Sequence, residues 1–180
     1  MIDEVAKILV SEDEIKEIVA RLAAEIEDAY KGKRLVLLAI LKGSVVFMGD
    51  LMKAMRIPVE IDFMKVSSYG AGTTSTGNIT IHLDIQREDI NECDILIVED
   101  IIDSGRTLTY LIDYLTLKGA RSVKTCALLD KPSRRVVDYI PDFVGKIIPD
   151  EFVIGYGLDF NERFRALPYI GVLKPEIYEN

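Results

Sequence analysis

Apolar residues recur along this chain in two rhythms. Leu35–Leu41 and residues 95–98 are short continuous apolar runs, the pattern of strands buried on both faces of a parallel sheet. Val59, Ile61 and Phe63 alternate with Glu60, Asp62 and Met64, and Ile79, Ile81, Leu83 and Ile85 with Thr80, His82 and Asp84, which is strand spacing. Elsewhere the period is helical. Ser11-Glu12-Asp13-Glu14 fits a capping box opening a helix with Ile15, Ile18, Val19, Leu22, Ala23 and Ile26 on one face. Lys42-Gly43-Ser44 leads into a second helix through Met48, Leu51, Met52 and Met55, whose methionines read as core filler. Leu108, Leu111, Ile112 and Leu115 mark a third, closed by Gly119, and residues 122–129 form another strand. This alternation predicts an α/β fold, a mostly parallel sheet with helices on both faces.

The chemistry concentrates after the run 95–98. Glu99 and Asp100 arrive where that strand is expected to end, and Asp103, Ser104, Gly105 and Thr107 fill the turn before the third helix. In open α/β sheets ligands bind beyond the carboxyl ends of the strands. A helix N-terminus there offers unpaired N–H groups to a phosphate, and Gly105 is expected to let the backbone approach the ligand. Adjacent carboxylates would repel a phosphate, so they must face sugar hydroxyls or a hydrated Mg²⁺. The loop reads as built for a sugar phosphate.

Composition narrows the picture. At 180 residues and 49% hydrophobic, the chain predicts one globular domain with a full core. The acidic start Met1-Ile2-Asp3-Glu4 and the lack of a long apolar run point to a cytoplasmic protein without a signal peptide or membrane span. A formal charge of −8 argues against nucleic-acid and membrane-surface partners. Cys93 and Cys126 are too few and too far apart for a metal knuckle, and Cys126 reads as a buried thiol. His82, the only histidine, lies outward on an alternating strand and reads as a partly exposed structural residue. One histidine without a nucleophile motif supports no hydrolase.

The segment Glu99-Asp-Ile-Ile-Asp-Ser-Gly-Arg-Thr-Leu108 resembles the phosphoribosyl-pyrophosphate (PRPP) loop of type I phosphoribosyltransferases, in the form typical of the hypoxanthine-guanine branch. The likeness runs from Leu35 to Tyr178. It implies the type I fold in a single domain, 1–180, with a flexible lid hairpin at about 67–80 and a small hood from the N- and C-terminal segments. It further implies that Glu99 and Asp100 hold the ribose hydroxyls and Mg²⁺, and that Ser104, Gly105, Arg106 and Thr107 cradle the 5′-phosphate. Whether Arg106 reaches phosphate or a neighbouring subunit stays open.

Leu41-Lys42-Gly43-Ser44 resembles the pyrophosphate loop, commonly built on a non-proline cis peptide, with Ser44 replacing the frequent Gly or Ala. Ser67-Ser68-Tyr69-Gly70 resembles the start of the catalytic lid, where Ser68 and Tyr69 would meet pyrophosphate and closure would exclude water. Lys131 matches the residue that contacts the purine's exocyclic oxygen and so favours 6-oxopurines over adenine. Phe152 matches the stacking aromatic and Val153 the residue whose backbone reads the purine edge. Asp159 matches a carboxylate beside purine and Mg²⁺, and Arg165 the arginine that grips pyrophosphate. The implied activity is purine salvage: PRPP plus hypoxanthine or guanine gives IMP or GMP plus pyrophosphate, with Asp103 as general base. Relatives are homodimers or homotetramers. A preference for xanthine, and a non-catalytic PRPP-sensing regulator, are the alternatives; the intact Asp103 and Lys131 and the absence of a basic stripe speak against the regulator.

Overall fold

The computed structural model describes residues 2–68 and 79–178. The two continuous apolar runs become the centre of the molecule. β2 (Leu35–Leu41) and β5 (Asp94–Ile102) lie side by side in parallel, from Leu35 opposite Asp94 to Ala39 opposite Val98. β3 (Val59–Ser68) extends the parallel sheet beyond β2, and β6 (Ser122–Asp130) and β7 (Phe143–Ile147) extend it beyond β5. β4 (Ile79–Leu83) runs antiparallel to the end of β3, giving the order β4-β3-β2-β5-β6-β7.

Strand alternation divides the apolar side chains between two cores. Leu35, Leu37 and Ala39 of β2 face α1 (Glu12–Ala29) and α2 (Val45–Ala54), where Leu22, Ile26, Phe47 and Leu51 meet them. Val36, Leu38, Ile95 and Ile97 face the other way, onto Leu108, Leu111 and Leu115 of α3 (Arg106–Leu117). Each such side chain gains roughly 1.5–3 kcal/mol by leaving water, so Leu37→Ala would cost about 2–5 kcal/mol. Ser11 starts α1 by accepting the Glu14 N–H at 3.2 Å. Ser44 precedes α2, and its buried hydroxyl donates to the Ile40 carbonyl at 2.5 Å, a bond that Gly or Ala could not make.

The chain passes from β2 outward to β3 and later returns to β5 on the other side. Such a reversal opens a crevice at the carboxyl ends of the two strands. The ladder here explains it directly. β2 and β5 stop pairing after Ala39 and Val98, while β2 continues along β3 to Leu41 and β5 continues along β6 to Ile102. β5 therefore runs past the expected end at residue 98, and Glu99 and Asp100 are strand residues, because the β6 ladder holds Glu99 opposite Ala127. Two further bounds differ from the sequence pattern. α2 ends at Ala54, with Met55 already extended, and Ile85 lies beyond β4, buried in the core that faces α3.

The two chain ends build a second, small sheet. β1 (Val5–Val10) pairs antiparallel with β9 (Ile170–Leu173), which pairs with β8 (Val153–Ile154). A short α4 (Pro175–Tyr178) follows. Val10, Val153, Ile170 and Val172 join the α1–α2 core, so this sheet is anchored on the same side as α1 and α2.

Candidate active site

Neighbouring residues on a strand point to opposite faces, and β5 uses this to separate its carboxylates. Glu99 lines an open cavity of about 280 Å³ with Asp103, Ser104, Gly105 and Thr107. Asp100 faces the loop after β2. A β-carbon at position 43 would lie 1.6 Å from Asp100 Oδ2, so any larger residue there would push the Asp100 carboxylate aside. Neither carboxylate forms an ion pair among the described residues. Burial raises Glu99 well above the ordinary carboxylate range, with Asp100 adding repulsion, and burial raises Asp100 to about 6.

The turn after β5 ends on Gly105, which precedes α3 with φ +82°. Gly105 has no side chain to cap that helix, whose first N–H groups lack an intrahelical partner; the Arg106 N–H donates to Ser104 Oγ at 3.4 Å. The glycine has a further reason besides the one expected. A β-carbon at 105 would meet Val137 Cγ2 at 2.8 Å and Arg135 Cδ at 2.9 Å, so the segment after β6 packs against that position. Arg135 holds the turn from below: it donates to the Asp103 carbonyl at 2.6 Å and the Tyr139 carbonyl at 3.2 Å, and pairs with Asp130. The Val136 N–H donates to the Ser104 carbonyl at 3.1 Å.

The loop after β2 carries a cis peptide between Leu41 and Lys42. Gly157 packs so closely on this loop that a β-carbon there would lie 2.0 Å from the Gly43 carbonyl oxygen. Arg165 is brought in by the same approach, donating to the Gly157 carbonyl at 2.7 Å and pairing with Asp159 at 2.9 Å. Lys42 and Arg165, 123 positions apart in the chain, both contact Glu162.

A second open cavity, of about 420 Å³, is lined by Ile101, Asp103, Lys131, Phe152, Val153 and Tyr178 among others. Its size suits a small planar ligand. Lys131 follows β6 directly; its side chain is only 9% exposed and its ammonium lies 3.6 Å from Asp103. Phe152 is 37% exposed, with the Tyr178 ring stacked on it at 4.9 Å and Phe160 edge-on at 5.7 Å. Val153 sits on β8, the edge of the small sheet, so one side of its backbone is free of strand pairing. Ile101 and Asp103 line both cavities, and Asp103 is the one ionisable group common to them.

The three carboxylates expected around Mg²⁺ are not gathered into one cluster. Asp159 is engaged in its own turn, one oxygen on Arg165 and the other accepting the Glu162 N–H at 2.9 Å, and no group of three metal-ligating side chains converges among the described residues. The donor set still fits Mg²⁺, which is usually held by one or two carboxylates plus substrate oxygens and water. Glu99 and Asp100 are such a pair, without an ion-pair partner among the described residues. Tyr69 and most of the expected lid lie outside the described residues; Ser67 and Ser68 end β3, and Ile79 and Thr80 begin β4. His82 is exposed, its Nε2 sharing a 2.7 Å hydrogen bond with Ser67 Oγ. Cys126 is fully buried. Tyr178, Glu162 and Arg135 carried no signal in the local pattern, since each reaches the site through tertiary contact. No described helix is long and apolar enough to cross a membrane.

Residues 7–161 match the phosphoribosyl transferase domain family. The chain is 49% identical to the hypoxanthine-guanine phosphoribosyltransferase of Bacillus subtilis, with 98% of each chain covered. It is equally similar to the bifunctional protein TilS/HprT of Listeria monocytogenes, spanning 27% of that longer chain. Among solved structures, a hypoxanthine phosphoribosyltransferase from Staphylococcus aureus superposes with a TM-score of 0.94 at 47% identity, covering 99% of this chain and 96% of that one. One from Trypanosoma cruzi, in a ternary substrates complex, gives 0.91 at 42%, covering 98% and 100%. With the loop after β5, the paired cavities and these likenesses together, the chain belongs to the phosphoribosyl transferase family, on its hypoxanthine-guanine branch.

Proposed function

We propose that this protein transfers the 5-phosphoribosyl group of PRPP to hypoxanthine or guanine, giving IMP or GMP and pyrophosphate. The observation that carries this reading is Asp103 on the wall shared by the two cavities. One cavity suits a flat base and the other a ribose phosphate, so the bond joining base to sugar would form beside that carboxylate. Such a transfer breaks the bond between the anomeric carbon and pyrophosphate and makes one from that carbon to a ring nitrogen. The ring then loses a proton, which Asp103 accepts.

The remaining roles follow from position. Ser104, Gly105, Arg106 and Thr107, at the uncapped start of α3, hold the 5′-phosphate through N–H and hydroxyl groups. Glu99 and Asp100 hold the ribose hydroxyls and, with Asp159 nearby, Mg²⁺. When bound, Mg²⁺ supplies positive charge beside the substrate oxygens. Lys42, Gly43 and Arg165 take the charge that grows on the leaving pyrophosphate, a group to which Ser68 and Tyr69 are also assigned. Phe152 stacks on the base, and Val153 presents its free edge. Lys131 leaves Asp103 to donate to the 6-oxo group. Adenine, whose 6-amino group is a donor, would leave that buried ammonium unsatisfied.

The same reading includes a cytoplasmic homodimer or homotetramer. Two free, buried thiols suit a reducing compartment, and Val45 on α2 and Ile61 on β3 leave apolar surface exposed, at 46% and 43%. Nucleotide formation from PRPP and Mg²⁺ with hypoxanthine, guanine, xanthine and adenine in parallel tests the function. Turnover of hypoxanthine and guanine with adenine silent supports it, and the xanthine rate sets the preference. Failure with every base would sink the enzymatic reading.

A further inference from the structure

Between Asp159 and Arg165 the chain makes a two-residue hairpin turn. Phe160 and Arg163 exchange backbone hydrogen bonds at 3.2 and 3.0 Å, and the residues between them, Asn161 and Glu162, have φ of +51° and +62°. This is the turn in which Asn suits the first central position and glycine the second. Glutamate at the second is an unfavourable choice for the backbone, so other contacts must hold it there. The Asp159 carboxylate accepts the Glu162 N–H at 2.9 Å. The Glu162 side chain then reaches back over the site. Both its oxygens lie 3.0 Å from the Lys42 ammonium, and one lies 3.3 Å from the Arg165 guanidinium. Lys42 first, then Arg165, hold its carboxyl below the usual range.

Lys42 and Arg165 are the two described cations assigned above to pyrophosphate. A carboxylate set across an ammonium and a guanidinium uses the donors that a phosphate oxyanion would use. We propose that Glu162 is a built-in competitor for pyrophosphate, occupying Lys42 and Arg165 in the empty site and reclaiming them as pyrophosphate leaves. This rests on the reading of the site as a PRPP site. Its consequence is selective. Ligands bearing pyrophosphate must displace Glu162, whereas a nucleoside monophosphate need not. The turn residue thus sets how long pyrophosphate stays after transfer.

Calorimetric titration with Mg²⁺-pyrophosphate and, separately, with IMP distinguishes this role from a structural one. Glu162→Gln keeps the shape and removes the charge; Glu162→Gly removes the side chain and suits the positive φ. Exposed ion pairs are individually weak, so both variants should bind pyrophosphate only about three- to fivefold more tightly than wild type, with IMP affinity unchanged. In turnover, KM for PRPP should fall and inhibition by pyrophosphate should strengthen. Equal or weaker pyrophosphate binding in both variants would overturn the inference, and a parallel loss of IMP affinity would mark Glu162 as merely structural. Wild-type protein that neither binds Mg²⁺-pyrophosphate nor forms nucleotide would instead remove the PRPP reading beneath it.

Discussion

The amino ends of the sheet strands and the carboxyl end of β5 treat carboxylates in opposite ways. At the amino ends of the strands, Arg34 bridges Glu60 and Asp89 at 2.6 Å each, and Arg87 joins the same two acids. Asp94, the first residue of β5, pairs with Arg121 and accepts the Ser122 hydroxyl at 2.6 Å. Each acid there is held below its usual range, Glu60 chiefly by Arg34, Asp89 by Arg87 and Asp94 by Arg121. At the carboxyl end of the same strand, Glu99 and Asp100 are pushed upward by burial and have no ion-pair partner among the described residues. A structural end neutralises its charges internally. The functional end leaves charges for a ligand to neutralise, and the protein is less stable for it.

The largest effect expected from this contrast is at the shared wall. Asp103→Asn should lower kcat by about 10²–10⁴, the usual worth of a general base, with only a small fall in the urea midpoint, since the half-exposed Asp103 is loosely paired with the buried Lys131 ammonium. Steady-state rates beside urea unfolding check both halves. At the opposite end the pattern should invert. Asp94→Ala should cost about 2 kcal/mol of stability, as expected for hydrogen bonds to a buried charge, and leave kcat/KM unaltered. A fall in kcat/KM without loss of stability would erase the division between the two ends.

A smaller effect lies in the pH dependence, where the two ends have opposite signs. The amino-end acids are lowered, so their stabilisation is present above about pH 4 and lost as pH falls through their folded values. Asp100 is raised to about 6, so the folded state binds more protons than the unfolded chain between about pH 4 and 6, and stability declines as pH rises through that window. Urea midpoints from pH 4 to 7.5 should therefore fall with rising pH more steeply for wild type than for Asp100→Asn.

Much of this was legible in the sequence, for reasons that differ by region. The buried strands and their helices were readable because β2 and the start of β5 are buried on both faces, and continuous apolar runs admit few other readings. The loop 99–108 was readable because carboxylates, hydroxyls and a glycine are clustered within ten residues. Where β5 ends was not, since the ladder with β6 carries it past Val98 and pairing partners are nonlocal. The further reason for Gly105 was likewise hidden, because Arg135 and Val137 crowd it from thirty residues away. Tyr178 on Phe152 and Glu162 on Lys42 and Arg165 arise only when the chain ends fold back. A lone tyrosine or glutamate there has no local signature.

The most direct test compares wild type with the double variant Glu99→Gln, Asp100→Asn by urea unfolding at pH 7.5 and by nucleotide formation from PRPP. Removing two partly buried carboxylates that lack an ion-pair partner, without changing shape, should raise the unfolding free energy by about 1–2 kcal/mol while turnover falls at least about tenfold. A variant that is less stable and still turns over at the wild-type rate would show that these carboxylates serve the fold, and would contradict the account.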